Sequence, residues 1–303
     1  MKALITGGSG FVGKYLSSAC SAEGDEVVST DRSGADALDI TDRDAVHDAF
    51  ARHRPEVVYH LAALSHVGES WNDPTLVLRV NVEGTANVLD GARAAGVNRV
   101  IVVGSAEEYG RVEERDLPLR EDSPLRPSTP YGVSKIAASF LALQAHLAYG
   151  FDVVRVRAFS HTGPGQSDRF LVPALAQRIA QAERGGADEI RVGSLDPVRD
   201  LSDVRDVVRA YRLVALHGHA GAVYNVCSGT GVSVREITER LVAAAHRPLR
   251  IEVDQALVRP VEVPRLVGDA SLLHADTGWA PDYSLAETLG AVLDDARVRA
   301  KTG

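Results

Sequence analysis

The sequence holds few cysteines and no long apolar run, and these scarcities exclude several classes of protein. The two cysteines, Cys20 and Cys227, lie far apart without a CxxC pattern, so we expect a reducing cytoplasm, no disulfide framework and no metal site. No apolar run reaches the length of about 18 residues that a membrane span needs. The N-terminal MKALITGG has the pattern of a short strand and not of a signal peptide.

An excess of positive charge is also missing. The net charge at pH 7 is −8, and no basic run or arginine–aromatic patch occurs. Hydrophobic residues make up 45% of the chain and charged residues 24%, as in an ordinary soluble protein. We therefore expect a cytoplasmic protein that binds neither nucleic acid nor membrane.

What is present is a regular alternation of short β-branched runs with longer helical patterns. The helical patterns cover 12–22, 43–53, 82–95 and 134–148, and the runs between them predict strands at Lys2–Ile5, Glu26–Thr30, Val57–Leu61, Val100–Val103 and Asp152–Val156. This alternation predicts an α/β fold, a doubly wound parallel sheet of the Rossmann type with helices on both faces. Ligands of such sheets bind at the carboxyl ends of the strands.

The second half of the chain is less regular and predicts a smaller lobe. HTGPGQSDR predicts a loop, RFLVPALAQRIAQAERGG and SVREITERLVAAAH predict helices, and AVYNVCSG predicts a buried strand. We assign residues 1–158 to a nucleotide-binding domain, to which 197–229 return. Residues 159–196 and 230–303 form the predicted substrate-binding lobe.

A glycine-rich turn marks the predicted cofactor site. Gly7, Gly10 and Gly13 follow the first strand in G-x-x-G-x-x-G spacing and open a helix, so backbone N–H groups can approach a pyrophosphate closely. Asp31 ends the second strand, where a carboxylate accepts hydrogen bonds from the ribose hydroxyls of NAD(H) and repels a 2′-phosphate. Arg32 follows and could pair with that phosphate. The pattern favours NAD(H) and leaves NADP(H) open.

Further residues near strand ends extend this prediction. Asp39 and Ile40 either hold the adenine edge or cap the next helix, and the small Ala62 and Ala63 let a dinucleotide lie against the backbone. The predicted cofactor-binding residues are Gly7, Gly10, Phe11, Val12, Gly13, Asp31, Arg32, Asp39, Ile40, Leu61, Ala62, Ala63, Tyr131 and Lys135.

A tyrosine and a lysine four residues apart point to the chemistry. Tyr131 and Lys135 lie in TPYGVSK at a predicted helix start, so they share one helix face. In a carbonyl-reducing site the tyrosine donates a proton, and we expect the ammonium and the nicotinamide charge to lower its pKa from about 10. Ser105 follows an apolar strand in IVVGSAEEYG, where its hydroxyl can bond the substrate oxygen. These three residues are the predicted catalytic groups, with Glu107 as a fourth.

The motifs together resemble those of the extended short-chain dehydrogenase/reductases, in the branch that modifies nucleotide sugars. The motifs that carry the resemblance are TGGSGFVG, HLAA, NVEGTANVL, GSAEEYG, YGVSK, HTGPGQ, VRDLSDVRD, YNVCSG, RPVEVP and TGW. Within that branch they are most similar to GDP-4-keto-6-deoxy-D-mannose reductases and GDP-mannose 4,6-dehydratases. The resemblance implies a Rossmann-type fold, catalytic Ser105, Tyr131 and Lys135, and a nucleoside-diphosphate sugar in the smaller lobe.

The resemblance also implies substrate-binding residues. They are Ser65, His66, Val67, Ser160, Val172, Arg178, Arg199, Arg259 and Glu262. An arginine fork suits a diphosphate, and a carboxylate suits ribose hydroxyls; for any single arginine the alternative is a solvated surface. Two positions depart from the family pattern. Ser160 stands where an asparagine usually approaches the diphosphate. Ala106 stands where dehydratases place an acidic or hydroxyl side chain directly after the catalytic serine or threonine.

The sequence leaves three functions open. The first is an NAD(P)H-dependent reductase of a nucleoside-diphosphate 4-keto-6-deoxy sugar, with a GDP-linked substrate and a GDP-D-rhamnose type of product. The second is a dehydratase or 4-epimerase that reduces and reoxidises a bound NAD, and the third is a non-catalytic NAD(P) sensor. Ala106 favours the reductase, because removing water from C5–C6 needs an acid and a base.

Two structural expectations accompany these functions. The apolar stretches 82–95 and 134–148 predict a homodimer, because family members pair the matching helices across a two-fold axis. If the strand continues past Ser105, Glu108 is expected to point away from Glu107, into solvent or against an arginine.

Overall fold

The computed structural model describes residues 1–258 and 263–302. The strands are β1 (Lys2–Thr6), β2 (Glu26–Thr30), β3 (Val57–His60), β4 (Arg99–Ser105), β5 (Val153–Ala158), β6 (Ser160–Thr162), β7 (Glu189–Val192), β8 (Val198–Asp203), β9 (Val223–Val226), β10 (Gly231–Ser233), β11 (Arg250–Val253) and β12 (Arg265–Leu266). The helices are α1 (Phe11–Ala22), α2 (Arg43–His53), α3 (Pro74–Leu78), α4 (Gly84–Ala94), α5 (Pro130–Tyr149), α6 (Leu171–Gly185), α7 (Val204–His217), α8 (Val234–Ala243), α9 (Ser271–Thr277) and α10 (Leu285–Thr302).

Six of these strands form one parallel sheet in the order β2-β1-β3-β4-β5-β9. The chain runs from β1 outward to β2 and then crosses back to β3 on the other side of β1. Such a reversal opens a crevice at the carboxyl ends of the strands. The predicted α/β fold is therefore confirmed, and the predicted ends of the first five strands lie within two residues of those observed. β4 extends to Ser105 itself.

Apolar residues cover both faces of this sheet, as a parallel sheet requires. One core lies between the sheet and helices α1 and α7, and it includes Ile5, Leu16 and Val207. The other lies on the opposite face, where α2, α4 and α5 pack, and it includes Phe50 and Leu89. The strands therefore hold the carboxyl edge, where polar residues gather, on a rigid base.

The helix predicted over 82–95 is divided in the structure. α3 leads into a π-helical segment at Arg79–Glu83, and only then does α4 begin. Asn81, inside that segment, is buried and bonds the backbone of Leu64 through both its amide oxygen and its amide nitrogen. The widened turn thus directs an amide toward the loop after β3, in keeping with the frequent use of such turns at functional sites.

The second half of the chain builds smaller sheets. β8 pairs with β10, β12 and β6, and β7 pairs with β11. Helices α6, α8 and α10 enclose an apolar core that includes Ile179, Ile237 and Leu293. The stretch predicted as a loop, HTGPGQSDR, begins inside β6, because the strand pairs with β8. β9 and α7 pack with the first sheet; the division into two domains stays a prediction.

In the described part of the chain, no helix combines the length and the apolar character needed to cross a bilayer. Nor does that part contain three or more histidine, cysteine or acidic side chains grouped so that they could hold a metal ion.

Candidate active site

A cleft of about 830 Å³ lies at the carboxyl edge of the six-stranded sheet and extends toward the second half of the chain. Most of the site residues predicted from the sequence line it. These are Gly7, Gly10, Phe11, Val12, Gly13, Asp31, Arg32, Asp39, Ile40, Leu61, Ala62, Ala63, Ser65, His66, Val67, Ser105, Glu107, Tyr131, Lys135, Ser160, Val172 and Arg199. Residues that are more than 190 positions apart therefore meet in one cavity, and their roles stay predictions.

Three predicted substrate residues are not among them. Arg178 lies on α6, and its guanidinium donates a hydrogen bond to the carbonyl oxygen of Arg191 on β7, at 2.8 Å. It does not belong to the described lining of the cleft. Arg259 and Glu262 lie outside the described residues.

The glycine turn has the shape that a dinucleotide needs. A Cβ on Gly13 would lie 2.7 Å from the Cα of Gly8 and would collide with the carbonyl oxygen of Gly7. Gly7 has a φ of +74°, a conformation that favours glycine. Gly10 caps α1 without a side-chain hydrogen bond, so the first N–H groups of α1 are left for an anion. The hydroxyl of Thr30, which lines the cleft, is buried without a partner. These features fit a nicotinamide dinucleotide.

Asp31 is held in place at the end of β2. One carboxylate oxygen accepts a hydrogen bond from the Ser9 hydroxyl at 2.5 Å, and the other accepts one from the Arg32 backbone N–H at 2.7 Å. Each oxygen keeps a lone pair for a further donor. The arrangement presents an oriented carboxylate to the adenosine end of the cleft.

Asp39 does not cap the next helix, which was one of its two predicted roles. Its carboxylate accepts hydrogen bonds from the backbone and hydroxyl of Thr41, at 2.9 and 2.7 Å, and these bonds lower the pKa of Asp39. Asp42 is the residue that caps α2, through a bond from the Ala45 N–H. Asp39 and Ile40 both line the cleft, which leaves the adenine edge as the predicted role.

β4 ends at Ser105, and a tight turn follows at once. Ala106–Glu108 form a 3₁₀ helix whose N-cap is Ser105, and the Ser105 hydroxyl accepts the Glu107 N–H at 3.2 Å. The strand does not continue, so the condition for the expected alternation of Glu107 and Glu108 is not met. Glu107 lines the cleft. Glu108 turns inward, is fully buried and pairs with Arg157 at 2.9 Å; of its two expected surroundings, the arginine is confirmed and solvent is wrong.

Tyr131 begins α5 and faces Ser105. Thr129 caps the helix by accepting the Gly132 N–H at 3.0 Å, which orients the first turn. Burial raises the pKa of Tyr131, the negative charges of Glu107 and Glu108 raise it further, and a hydrogen bond with Ser105 opposes them. In the protein alone, burial disfavours the phenolate; the lowering expected from the ammonium and the nicotinamide charge together stays a prediction. A phenol with a raised pKa keeps its proton at neutral pH, as a proton donor must.

Lys135 lies one helical turn further along α5. Its Nζ donates a hydrogen bond to the Val103 carbonyl oxygen at 2.8 Å and lies 5.9 Å from the centroid of the Tyr131 ring. Burial lowers the pKa of Lys135 to about 8, against the opposing charge of Glu108. Tyr131, Lys135 and Ser105 thus form one group of side chains at the end of β4.

The sequence interpretation assigned no role to a buried polar chain beneath this group. His60 at the end of β3 hydrogen-bonds the hydroxyls of Thr6 and Thr85, at 2.8 and 2.9 Å. Burial lowers the pKa of His60 to about 3, so the imidazole is neutral. Asn81 continues the chain by donating to the Ser134 hydroxyl on α5 at 2.9 Å. The motifs HLAA and NVEGT contained these residues, but their pairing depends on tertiary contacts.

Arg169 and Phe170, to which the sequence assigned no role, contact residues that follow β3 on the other side of the cleft. The guanidinium of Arg169 contacts the Glu69 carboxylate at 2.5 Å, and the ring of His66 meets that of Phe170 edge to face, with centroids 5.8 Å apart. Arg169 and Phe170 lie just before α6, in a stretch that carried no motif signal. They form part of the wall opposite the sheet.

The match to a known family decides the identity of this fold and cleft. The model of the NAD dependent epimerase/dehydratase family matches residues 3–227. The chain belongs to this family. The resemblance inferred from the motifs is thereby confirmed.

Similar proteins of the family cover nearly the whole chain. GDP-6-deoxy-D-mannose reductase of Pseudomonas aeruginosa is 38% identical over 97% of each chain. dTDP-glucose 4,6-dehydratase of Streptomyces griseus is 34% identical over 78% of this chain and 70% of its own. The structure of RMD from Pseudomonas aeruginosa complexed with NADPH superposes with a TM-score of 0.90, at 37% identity, and covers 99% of this chain and 100% of that one.

Proposed function

We propose that the protein is an NAD(P)H-dependent reductase of a nucleoside-diphosphate 4-keto-6-deoxy sugar, with a GDP-linked substrate. The observation that carries the proposal has two parts. Ser105, Tyr131 and Lys135 meet in one cleft, and Ala106, the residue directly after Ser105, offers only a methyl group. The full-length similarity to GDP-6-deoxy-D-mannose reductase supports the same substrate class.

The main chemical task of the protein in this reaction is to donate a proton to the substrate oxygen. A nicotinamide cofactor held by the glycine turn and Asp31 would supply the hydride for the carbonyl carbon of the sugar. The oxygen then needs a proton, and Tyr131, whose raised pKa keeps its phenol protonated, donates it. Ser105 hydrogen-bonds the same oxygen and stabilises the developing charge. The Lys135 ammonium, held by the Val103 carbonyl, adds a positive charge near the phenol.

Substrate binding falls to the wall formed by the second half of the chain. Arg199 lines the cleft, and its Nη1 donates to the carbonyl oxygens of Val198 and Val263, at 3.0 and 2.8 Å. These bonds fix the guanidinium plane, which suits recognition of a diphosphate. Ser160 and Val172 lie nearby on the same lining.

Ala106 argues against a dehydratase. Its side chain is 2% exposed and packs in an apolar cluster with Tyr109, Leu119 and Phe159. Elimination of water from C5–C6 needs a group that protonates the departing hydroxyl and a base for the C5 proton, and a methyl group can do neither. Glu107 alone would have to perform both steps. A 4-epimerase requires only the reversible hydride step, so it stays the second candidate.

Turnover distinguishes these functions directly. We expect stoichiometric oxidation of NADH or NADPH when a GDP-4-keto-6-deoxyhexose is added, and no change in mass of GDP-mannose incubated with the protein and NAD. Loss of one water from GDP-mannose would favour a dehydratase, and interconversion of 4-epimers without net cofactor oxidation would favour an epimerase. Cofactor binding with no turnover of any sugar would favour a sensor.

A homodimer is part of the proposal. Val133, Phe140 and Leu147 are exposed on α5 at seven-residue spacing, which places them on one face. The short α3 adds exposed Leu76 and Leu78. The contribution we expect from 82–95 is smaller, because the large apolar residues of α4, Val88 and Leu89, are buried within the monomer. A contiguous apolar face of this kind is typical of an isologous interface.

Light scattering tests the dimer. We expect twice the monomer mass of 32.3 kDa, and a monomer when Phe140→Glu and Leu147→Glu are combined. Val298→Glu on α10 is the control, since Val298 is equally exposed but lies on another surface. A wild-type monomer at micromolar concentration would contradict the proposed homodimer.

The buried free thiols of Cys20 and Cys227 support a reducing, cytoplasmic location.

A further inference from the structure

Glu108 is a fully buried carboxylate that the proposed reaction does not use. One oxygen, Oε1, accepts the backbone N–H of Ser105 at 3.0 Å. The other, Oε2, accepts Nε–H of Arg157 at 2.9 Å. The exposed fractions of the two side chains are 0% for Glu108 and 5% for Arg157. Burial of a charge to this degree is costly, so the position calls for a reason.

Both neighbours of Glu108 are hydrogen-bond donors, and this explains why a carboxylate stands there. A glutamine would offer one acceptor and one donor, so either the Ser105 N–H or Arg157 would face an NH₂ group. Burial raises the pKa of Glu108, opposed first by the charge of Arg157. Because both oxygens accept hydrogen bonds, we assign it as ionised.

The backbone beside Glu108 leaves no room for a side chain at position 104. A Cβ on Gly104 would collide with Oε1 of Glu108 and would lie 2.8 Å from the Val156 carbonyl oxygen. Glycine at position 104 is therefore required for the carboxylate to reach under the strand end. The last residue of β4 and the turn that follows it are packed around this one side chain.

Arg157 anchors the carboxylate to the rest of the molecule. Its Nη1 donates to the Tyr109 hydroxyl at 3.0 Å and to the Glu121 carbonyl oxygen at 2.9 Å. The Tyr109 hydroxyl donates in turn to the Asn225 amide oxygen on β9 at 2.6 Å. The network joins the turn after β4 to strands β5 and β9, and it holds the Arg157 side chain that pairs with Glu108.

We propose that Glu108 is a positioning residue: it holds the Ser105 backbone N–H so that the Ser105 hydroxyl faces the Tyr131 phenol and the substrate oxygen. This proposal rests on the proposed reductase function for its kinetic consequence. Its structural content, the orientation of Ser105, does not depend on which sugar is reduced.

Glu108→Gln tests the role by steady-state kinetics with cofactor and sugar. We expect kcat to fall by about 10–100-fold, the effect of a displacement of roughly 1 Å at a reacting group. KM for both ligands should stay within about twofold, since Glu108 lies behind the cleft wall and touches neither. Unchanged kcat in the folded variant, or a matching rise in KM, would overturn the proposal.

A matched control lies at the other end of the same two strands. Asp152 pairs with Arg99 where β4 and β5 begin, far from the cleft. Asp152→Asn should leave kcat and KM at their wild-type values, so a loss seen only in Glu108→Gln is not a general effect of breaking an ion pair between these two strands.

A double variant separates positioning from simple loss of a buried charge. In Glu108→Gln with Arg157→Gln, the amide NH₂ at 108 can donate to the amide oxygen at 157, and its oxygen is again available to the Ser105 N–H. We expect kcat to return to within about tenfold of wild type. The double variant also carries the test if the single variant fails to fold: a kcat near wild type supports the proposal, and a loss beyond about a hundredfold overturns it.

Amide hydrogen exchange gives a readout that needs no turnover. In Glu108→Gln, exchange at Ser105 should accelerate, and a crystal structure should show its hydroxyl rotated from Tyr131. Wild-type exchange and an unmoved hydroxyl would overturn the proposal. If wild type reduces none of the sugars, the proposed function fails while these measurements still decide the role of Glu108.

Discussion

The two edges of the six-stranded sheet carry similar ion pairs in different surroundings. At the amino ends of β4 and β5, Arg99 and Asp152 meet at 2.8 Å with side-chain exposures of 18% and 32%. At the carboxyl ends, Arg157 and Glu108 meet at 2.9 Å with exposures of 5% and 0%. The partners differ as well. Arg99 also bonds carbonyl oxygens at the end of α7, whereas Glu108 bonds the strand end that carries the predicted catalytic serine.

The comparison shows how burial changes the task of an ion pair. An exposed pair is solvated and screened, so its loss costs little. A buried pair is no more stabilising than well-packed apolar side chains would be, but removal of one partner leaves an uncompensated charge. The ion pair at the amino ends therefore joins β4 and β5 to α7, and the buried ion pair at the carboxyl ends holds the backbone of the strand end that carries Ser105.

The largest expected effect lies at the carboxyl edge. Tyr131→Phe should reduce kcat by about 10²–10⁴-fold, because it removes the proton donor alone. Fold and cofactor affinity should persist, since the ring stays in place at the start of α5. Stopped-flow kinetics with cofactor titration checks both. Turnover near wild type would remove Tyr131 from the mechanism and would leave the carboxyl edge without its proposed chemistry.

The two ion pairs should also differ in how much their loss lowers the free energy of unfolding. Glu108→Ala should lower the free energy of unfolding by about 3–5 kcal/mol, because Arg157 would be left buried and unpaired. Asp152→Ala should lower it by at most about 1 kcal/mol, because the pair is partly solvated. Denaturant unfolding followed by circular dichroism measures both. Equal losses would mean that burial does not separate the two edges.

The buried lysine makes the carboxyl edge sensitive to pH. Its pKa of about 8 in the folded protein lies below the value of about 10.4 in an unfolded chain. Between these values the unfolded state binds more protons, so the contribution of Lys135 makes stability rise with pH across that window. Lys135→Met should flatten this rise, as measured by unfolding at several pH values. Identical slopes for the two proteins would contradict the burial of a charged ammonium.

The smallest effect on ligand binding or catalysis is expected at Asp31, at the end of β2. We expect Asp31 to favour NADH through the ribose hydroxyls, and Asp31→Ala should narrow that preference by about tenfold, or 1.4 kcal/mol. Fluorescence titration of wild type and variant with NADH and NADPH checks it. Tenfold tighter binding of NADPH by wild type would show that Arg32, and not Asp31, governs the choice.

Much of the fold and part of the site followed from sequence. Short β-branched runs alternate with helical patterns, and buried parallel strands need apolar residues on both faces, so β1 to β5 were located within two residues. Gly7, Gly10 and Gly13 were found because a tight turn at a helix start needs glycine, and Tyr131 and Lys135 because a spacing of four defines one helix face. In each case the requirement is local along the chain.

Other features were decided by contacts between distant segments. The sequence left open whether Glu108 faces solvent or an arginine, and its partner is Arg157, 49 positions away. The chain of His60, Thr6, Thr85 and Asn81 joins three separate segments. Sequence patterns report which side chains a helix or strand places on one face. Which buried donor meets which acceptor depends on how those elements pack, and only the tertiary structure settles that.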